Sequence, residues 1–63
     1  MYLVIYKDCV LFKASTKIAA AQFISDYAEK RNWEFWQQIS SFGRSQYIFY
    51  DALDYYSLII IKE

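Results

Sequence analysis

Residues 17–31, KIAAAQFISDYAEKR, decide the fold because they have the spacing of an amphipathic helix. The apolar side chains recur at intervals of three and four residues, which places them on one helix face; they are Ala20, Phe23, Ile24, Tyr27 and Ala28. Ser15 or Thr16 can supply the N-cap, because a hydroxyl oxygen accepts a hydrogen bond from a free backbone N–H. Asn32 can adopt the left-handed conformation that ends a helix. The stretch therefore predicts one helix whose alanines allow it to lie close to a sheet.

Two strand-like runs precede this helix. Residues 2–6 are apolar at both odd and even positions, which is typical of a strand that is covered on both faces and central in its sheet. Residues 9–13 form a second run of strand length, and only Lys7 and Asp8 separate it from the first. Two residues between two strands predict a tight hairpin.

Three further strands are predicted after the helix. Residues 33–40 alternate between apolar and polar side chains except at Trp36, so we interpret them as a strand, with a continued helix as the alternative. Residues 46–50 form the next candidate. Residues 56–61 are apolar on both faces and predict another central strand.

The two connections between these strands are short. Residues 41–45 contain the only glycine of the chain, Gly43, and predict a turn. Residues 51–54 form the second connection, either as a loop or as one helical turn. The element order is therefore β-β-α-β-β-β. We predict an α+β fold in one domain, residues 1–63, with one helix packed on a mainly antiparallel sheet of four or five strands.

The composition limits the possible functions of the chain. Its 63 residues include 22% aromatic side chains, but on a set that counts Gly and omits Tyr the apolar share is about 48%, which is ordinary for a soluble domain. The aromatic surplus is therefore mostly tyrosine. The net charge is zero, with a mild basic excess in residues 1–33 and a mild acidic excess in residues 34–63. Nucleic acid and anionic membranes, which need clustered basic side chains, are unfavoured partners.

Metal and disulfide chemistry have few candidate residues. The chain has no histidine and a single cysteine, Cys9, so neither a zinc site nor an internal disulfide is expected, and no cofactor motif is present. Because Cys9 begins an apolar run, we predict a buried structural thiol. The residues after Met1 have no basic start and are too few for a signal or membrane segment. We expect a cytoplasmic protein.

Catalysis has one weak candidate, the carboxylate pair Asp51 and Asp54. The two would share a face if residues 51–54 were helical, and paired carboxylates can hydrolyse glycosides. That chemistry needs a cleft, for which 63 residues leave little chain. We therefore expect no enzymatic activity, and we interpret the two carboxylates as part of a turn.

The strand pattern leaves one sheet face without a cover. A single helix can cover one face, yet several strands are apolar on both, and we expect the uncovered face to be rich in aromatic residues. An uncovered apolar face is an interaction surface or an aggregation hazard. We predict a homodimer, in which the sheets pack face to face or continue edge to edge. The alternative is a monomer whose long tyrosine side chains cover their own face.

The strongest local bias is acidic and aromatic. Residues 47–56 hold five aromatic side chains and two carboxylates without a basic residue, and tyrosine is frequent at interface hot spots. The predicted partner-binding residues are Trp36, Arg44, Tyr47, Phe49, Tyr50, Asp51, Asp54, Tyr55 and Tyr56. They predict a non-catalytic protein-binding module, a small regulator or inhibitor of the kind that phages and mobile elements encode, acting on a larger intracellular protein. The alternative is a single-stranded nucleic-acid-binding module that stacks bases on the sheet aromatics.

Overall fold

The computed structural model describes all residues 1–63 and confirms the predicted order and fold class. The elements are β1 (Tyr2–Tyr6), β2 (Cys9–Ala14), α1 (Lys17–Lys30), β3 (Glu34–Ser41), β4 (Arg44–Tyr50) and β5 (Tyr55–Lys62). The strands form one antiparallel sheet in the order β2-β1-β5-β4-β3. Strands β1 and β5, apolar on both faces, lie inside the sheet as predicted, and β2 and β3 are its edges.

The helix begins and ends where its sequence indicates. The Thr16 side-chain oxygen accepts a hydrogen bond of 3.1 Å from the Ala19 N–H, which makes Thr16 the N-cap. Asn32 follows the helix with a φ of 59°, in the left-handed region. The segment after the helix forms the strand Glu34–Ser41 and not a continued helix, which shifts the predicted 33–40 by one residue, because the left-handed Asn32 ends the helical path.

Two of the three β-hairpins close with two-residue turns of positive φ. Lys7 and Asp8 have φ values of 49° and 64°, and Phe42 and Gly43 have 48° and 76°. Two successive residues of positive φ match the right-handed twist of the flanking strands. Only one of the four positions is glycine, so the other three residues adopt a backbone conformation that costs them energy.

Each edge strand contains an irregularity. In β2 the register with β1 shifts between Val4 and Ile5. In β3 the register with β4 shifts between Phe35 and Gln37, which leaves Trp36 as the extra residue of a β-bulge. The bulge explains why Trp36 interrupts the alternation of the sequence. It also places Ile39 on the sheet face opposite Phe35, whereas an unbroken alternation predicts one face for both.

The core lies between the helix and one face of the sheet. Ala20, Ile24 and Ala28 project from the helix onto Val4, Leu58, Ile60 and other strand residues, and all of them are almost fully buried. The small alanine side chains let the helix lie close to the sheet. Nine of the 63 residues are buried, so this core is small even for a short chain.

An aromatic cluster extends this core along the end of the helix. Trp33 stacks on Tyr56 at 4.0 Å between ring centroids, and Tyr27 meets Trp33 edge-on at 5.7 Å. The Arg31 guanidinium lies 3.5 Å from the centroid of the Tyr27 ring, within range of a cation–π interaction. Part of the tyrosine surplus therefore packs under the helix and stabilises its junction with the sheet.

The environment of Cys9 differs from the prediction. Cys9 is exposed and not buried, because it begins the edge strand β2 immediately after the turn. The apolar residues that follow it do not enclose it. The helix of this chain is not long or apolar enough to cross a membrane.

Candidate functional site

The face of the sheet away from the helix, here called the open face, is covered by no element of the chain. Buried residues alternate along β5 and place Leu58 and Ile60 under the helix, so their neighbours project from the other side. Strand pairing extends this assignment across the sheet. The apolar residues of the open face are Leu3, Ile5, Val10, Trp36, Ile39, Ile48, Tyr50, Tyr55, Ile59 and Ile61.

The two faces differ in the type of apolar residue that they carry. Tyr2, Val4 and Tyr6 pack toward the helix core, whereas Leu3 and Ile5 lie on the open face. The open face is therefore mainly aliphatic, with its aromatic residues confined to one end. The predicted aromatic-rich surface is confirmed, and on the open face its rings lie at one end because the helix covers many of the tyrosines.

The aromatic end of the open face is a group of three exposed rings. Trp36 and Tyr55 lie 5.4 Å apart between centroids, and Tyr50 and Tyr55 lie 6.3 Å apart. Trp36 is 55% exposed and Tyr55 is 65% exposed. The bulge in β3 supplies Trp36, and the last residue of β4 pairs with the first residue of β5 to supply the tyrosines. Large exposed rings of this kind favour protein contact.

The loop 51–54 beside these rings is held by its own carboxylate. Asp51 Oδ1 accepts hydrogen bonds from the Leu53 and Asp54 backbone N–H groups at 2.8 and 2.9 Å, and Asp51 Oδ2 accepts one from the Tyr56 hydroxyl at 2.9 Å. The loop contains no helical turn, so the two carboxylates do not share a helix face. The arrangement gives Asp51 a structural role as the centre of the loop.

These bonds perturb two acid–base equilibria. The backbone N–H of Leu53, with smaller contributions from Asp54 and Tyr56, lowers the pKa of Asp51 below its ordinary value of 3.8 because all three groups stabilise the carboxylate. The bond to Asp51 in turn raises the pKa of Tyr56 above its ordinary value of 10.0, because ionised tyrosine could not donate it. The loop therefore carries a charged Asp51 and a neutral Tyr56 at neutral pH.

The predicted partner-binding residues do not form one surface. Phe49 is 5% exposed and belongs to the core, and Tyr47 packs against that core. Tyr56 is partly buried between Trp33 and Asp51. We remove these three from the contact surface, since they lie on the helix side of the sheet. Their neighbours along the chain point to the other side because side chains alternate across a strand.

The remaining predicted residues divide between the open face and the loop. Trp36, Arg44, Tyr50 and Tyr55 lie on the open face. Asp51 and Asp54 lie in the loop at its end. The 47–56 segment therefore contributes to two surfaces that meet at Tyr55.

Arg44 lies among apolar residues of the open face. It lines one depression with Ile39 and Ile59, and it also lines a second depression with Ile5 and Tyr55. Both depressions are open to solvent. A guanidinium in this position can hydrogen-bond or stack on an incoming partner.

Most residues of the open face are not among the predicted partner-binding residues. Ile48, Ile59 and Ile61 carry no chemical group that marks a site, and consecutive apolar residues such as 58–61 are typical of a strand covered on both sides. The sequence contains one indication of this surface: several strands are apolar on both faces, and the single helix can cover only one face of the sheet. That signal predicts an uncovered face but does not identify which alternate residues lie on it.

The side chains do not bring together a metal-binding group of three or more His, Cys, Asp or Glu residues. Comparison with the profiles of known protein families finds no match for the chain, and comparisons with curated proteins and with solved structures find none.

Proposed function

We propose that the protein is a non-catalytic protein-binding module that forms a homodimer and regulates or inhibits a larger cytoplasmic protein by stoichiometric binding. The observation that carries this proposal is the open face, where Ile39, Trp36 and Tyr55 are 45%, 55% and 65% exposed. Exposed apolar patches of a few hundred Å² or more mark interaction sites. A free, exposed Cys9 is compatible with a reducing compartment.

The contact with the larger protein is assigned to the loop 51–54. Leu53 is 90% exposed at the tip of the loop, and Asp54 is exposed beside it. Because Asp51 holds the loop in place through three hydrogen bonds, binding requires little additional ordering of the backbone. The carboxylates suit a partner whose surface is basic.

A photo-cross-linking amino acid at position 53 tests this contact in the organism that produces the protein. We expect a discrete heavier adduct from position 53, and a weaker one when Asp54→Ala is added. The matched control is the same cross-linker at Ile18, which is 84% exposed in the first turn of the helix. No discrete adduct at position 53, or the same adduct from both positions, contradicts the assignment.

Single-stranded nucleic acid is the second candidate, and one observation favours it. Trp36, Tyr50 and Tyr55 present exposed rings on a sheet face that also carries Arg44, as base-stacking surfaces do. The nearby loop carboxylates oppose it by repelling phosphates. Titration of a labelled oligothymidylate at low salt separates the candidates, because saturable binding at micromolar concentration favours nucleic acid over the protein-binding function.

A further inference from the structure

The size of the open face suits a second copy of the chain. Five strands spaced about 4.8 Å apart, with about six residues rising about 3.3 Å each, span on the order of 500 Å². Two such faces in contact bury about 1,000 Å², which reaches the lower bound of a specific interface. No strand residue in the middle rows of the face is charged, and the polar residues there are Gln37, Gln46 and Ser57. The Arg44 side chain borders these rows beside Ile5 and Ile59, so its charge needs a partner when two copies meet.

Packing through the face is favoured over continuation through the edge. All eight residues of the edge strand β3 are exposed, but the bulge at Trp36 interrupts the regular row of hydrogen-bonding groups that edge pairing needs. Edge pairing would also leave Ile59 and the other aliphatic residues of the open face in water. Only face-to-face packing covers them.

The charges of the open face lie at its two ends. Lys13 and Arg44 are in the row of Leu3 and Ile61, at one end of the strands. Glu34 pairs with Tyr50 in the row at the opposite end. Lys7 and Asp8 border this second end beside Tyr55, where their opposite charges offset each other. On the half formed by β3 and β4 the face is therefore basic at one end and acidic at the other.

A two-fold axis in the plane between the two faces can run either parallel or perpendicular to the strands. The positions of the charged residues distinguish these two arrangements. An axis along the strands places the basic ends together and leaves Arg44 against Leu3 of the second copy, where its charge has no partner. An axis across the strands reverses the second copy, so that each basic end meets an acidic end. Because burying an unpaired charge is costly, the second arrangement is favoured.

We infer that two copies pack open face to open face with their strands reversed, so that Arg44 of each contacts Glu34 and Tyr50 of the other. The carboxylate pairs with the guanidinium and the tyrosine ring lies under it. The strands of the two sheets remain within about 30° of each other, with the helices outside. The loop 51–54 is left free at each end, so this dimer, which rests on the proposed self-association, is compatible with binding to a larger protein.

Charge reversal at the two positions tests the arrangement. We expect the wild-type chain of 7.6 kDa to show twice that mass in native mass spectrometry, and Arg44→Glu or Glu34→Arg alone to weaken dimerisation about tenfold or more. A mixture of the two variants should recover a heterodimer, because each reversed charge then faces its complement. Lys30→Glu and Asp26→Arg are matched controls on the exposed side of the helix and should dimerise as the wild type does.

The results distinguish two questions: whether the chain dimerises, and whether the dimer has the reversed face-to-face packing. A wild-type chain that stays at 7.6 kDa at 100 µM overturns both the dimer and the inference. A wild-type dimer with single variants that dimerise normally, or a mixture that forms no heterodimer, overturns only the reversed face-to-face packing. Both positions are exposed, and circular dichroism verifies that each variant is folded.

Discussion

Two adjacent isoleucines on the same strand should respond very differently to the same substitution. Ile60 is 2% exposed under the helix, whereas Ile59 projects from the open face. Removing the side chain of a buried isoleucine to alanine costs about 2–5 kcal/mol. The whole fold of 63 residues is stable by about 3–9 kcal/mol, so Ile60→Ala removes a large share of its stability.

The expected cost of Ile59→Ala follows from its partial exposure. The substitution removes three carbon atoms at about 0.8 kcal/mol each when they are fully buried, and because Ile59 is already mostly covered in its own chain the expected cost is about 1.5–2 kcal/mol. For a domain of this size 1 kcal/mol corresponds to about 4–8 °C in Tm. A cost of about 3 kcal/mol at Ile60 should therefore lower Tm by about 12–24 °C, against about 6–16 °C at Ile59.

Thermal unfolding followed by circular dichroism at two protein concentrations measures both effects. The loss at Ile60 should not depend on concentration, because its partners lie in its own chain. The loss at Ile59 should be smaller than that at Ile60 at about 1 µM and grow with concentration if the open face is covered by a second copy. A large loss at Ile59 that is equal to that at Ile60 and independent of concentration would refute the assignment of the two faces.

Two other features of the structure give testable expectations. Replacing Lys7 and Asp8 by Asn and Gly should stabilise the first hairpin by about 1 kcal/mol, because both residues have positive φ, and a urea titration showing no gain would contradict the turn geometry. Asp51→Asn should lower stability at pH 7, and the loss should shrink as the pH falls below 3.8. The pKa of Asp51 is lower in the folded state, so its stabilisation is fully present above 3.8 and disappears as the pH falls through the folded value. In the same variant the pKa of Tyr56 should return toward 10.0 in an NMR titration, and an unchanged value would exclude the bond between the two side chains.

The helix and the hairpins were predictable because their signals are local. The 3.6-residue repeat of residues 17–31 is set by neighbours within the same helix, and the cap at Thr16 requires only contacts three residues away. Two-residue spacing determines the turn at Lys7 and Asp8 in the same way. The class and order of the elements follow from these signals.

The candidate site was predicted only in part because its faces depend on register. A one-residue bulge at Trp36 moves Ile39 to the other side of the sheet. The local sequence shows that the alternation is interrupted there, but it does not show that the interruption shifts the register. The composition of residues 47–56 predicts one patch, whereas alternation places Phe49 in the core and Tyr50 on the surface. Its acidic and aromatic composition was visible, but its division between two surfaces was not.

The sequence by itself determined the one helix, the five strands and their order. It also showed that the strands carry more apolar positions than one helix can cover. Only the tertiary structure decided which half of each two-faced strand lies under the helix. The reason is physical: residues such as Ile59 and Ile60 are chemically equal, and only the packing of Ala20, Ile24 and Ala28 against one side makes that side the core. The tertiary structure also placed Lys13 and Arg44 at one end of the open face and Glu34 at the other, although the three are distant along the chain.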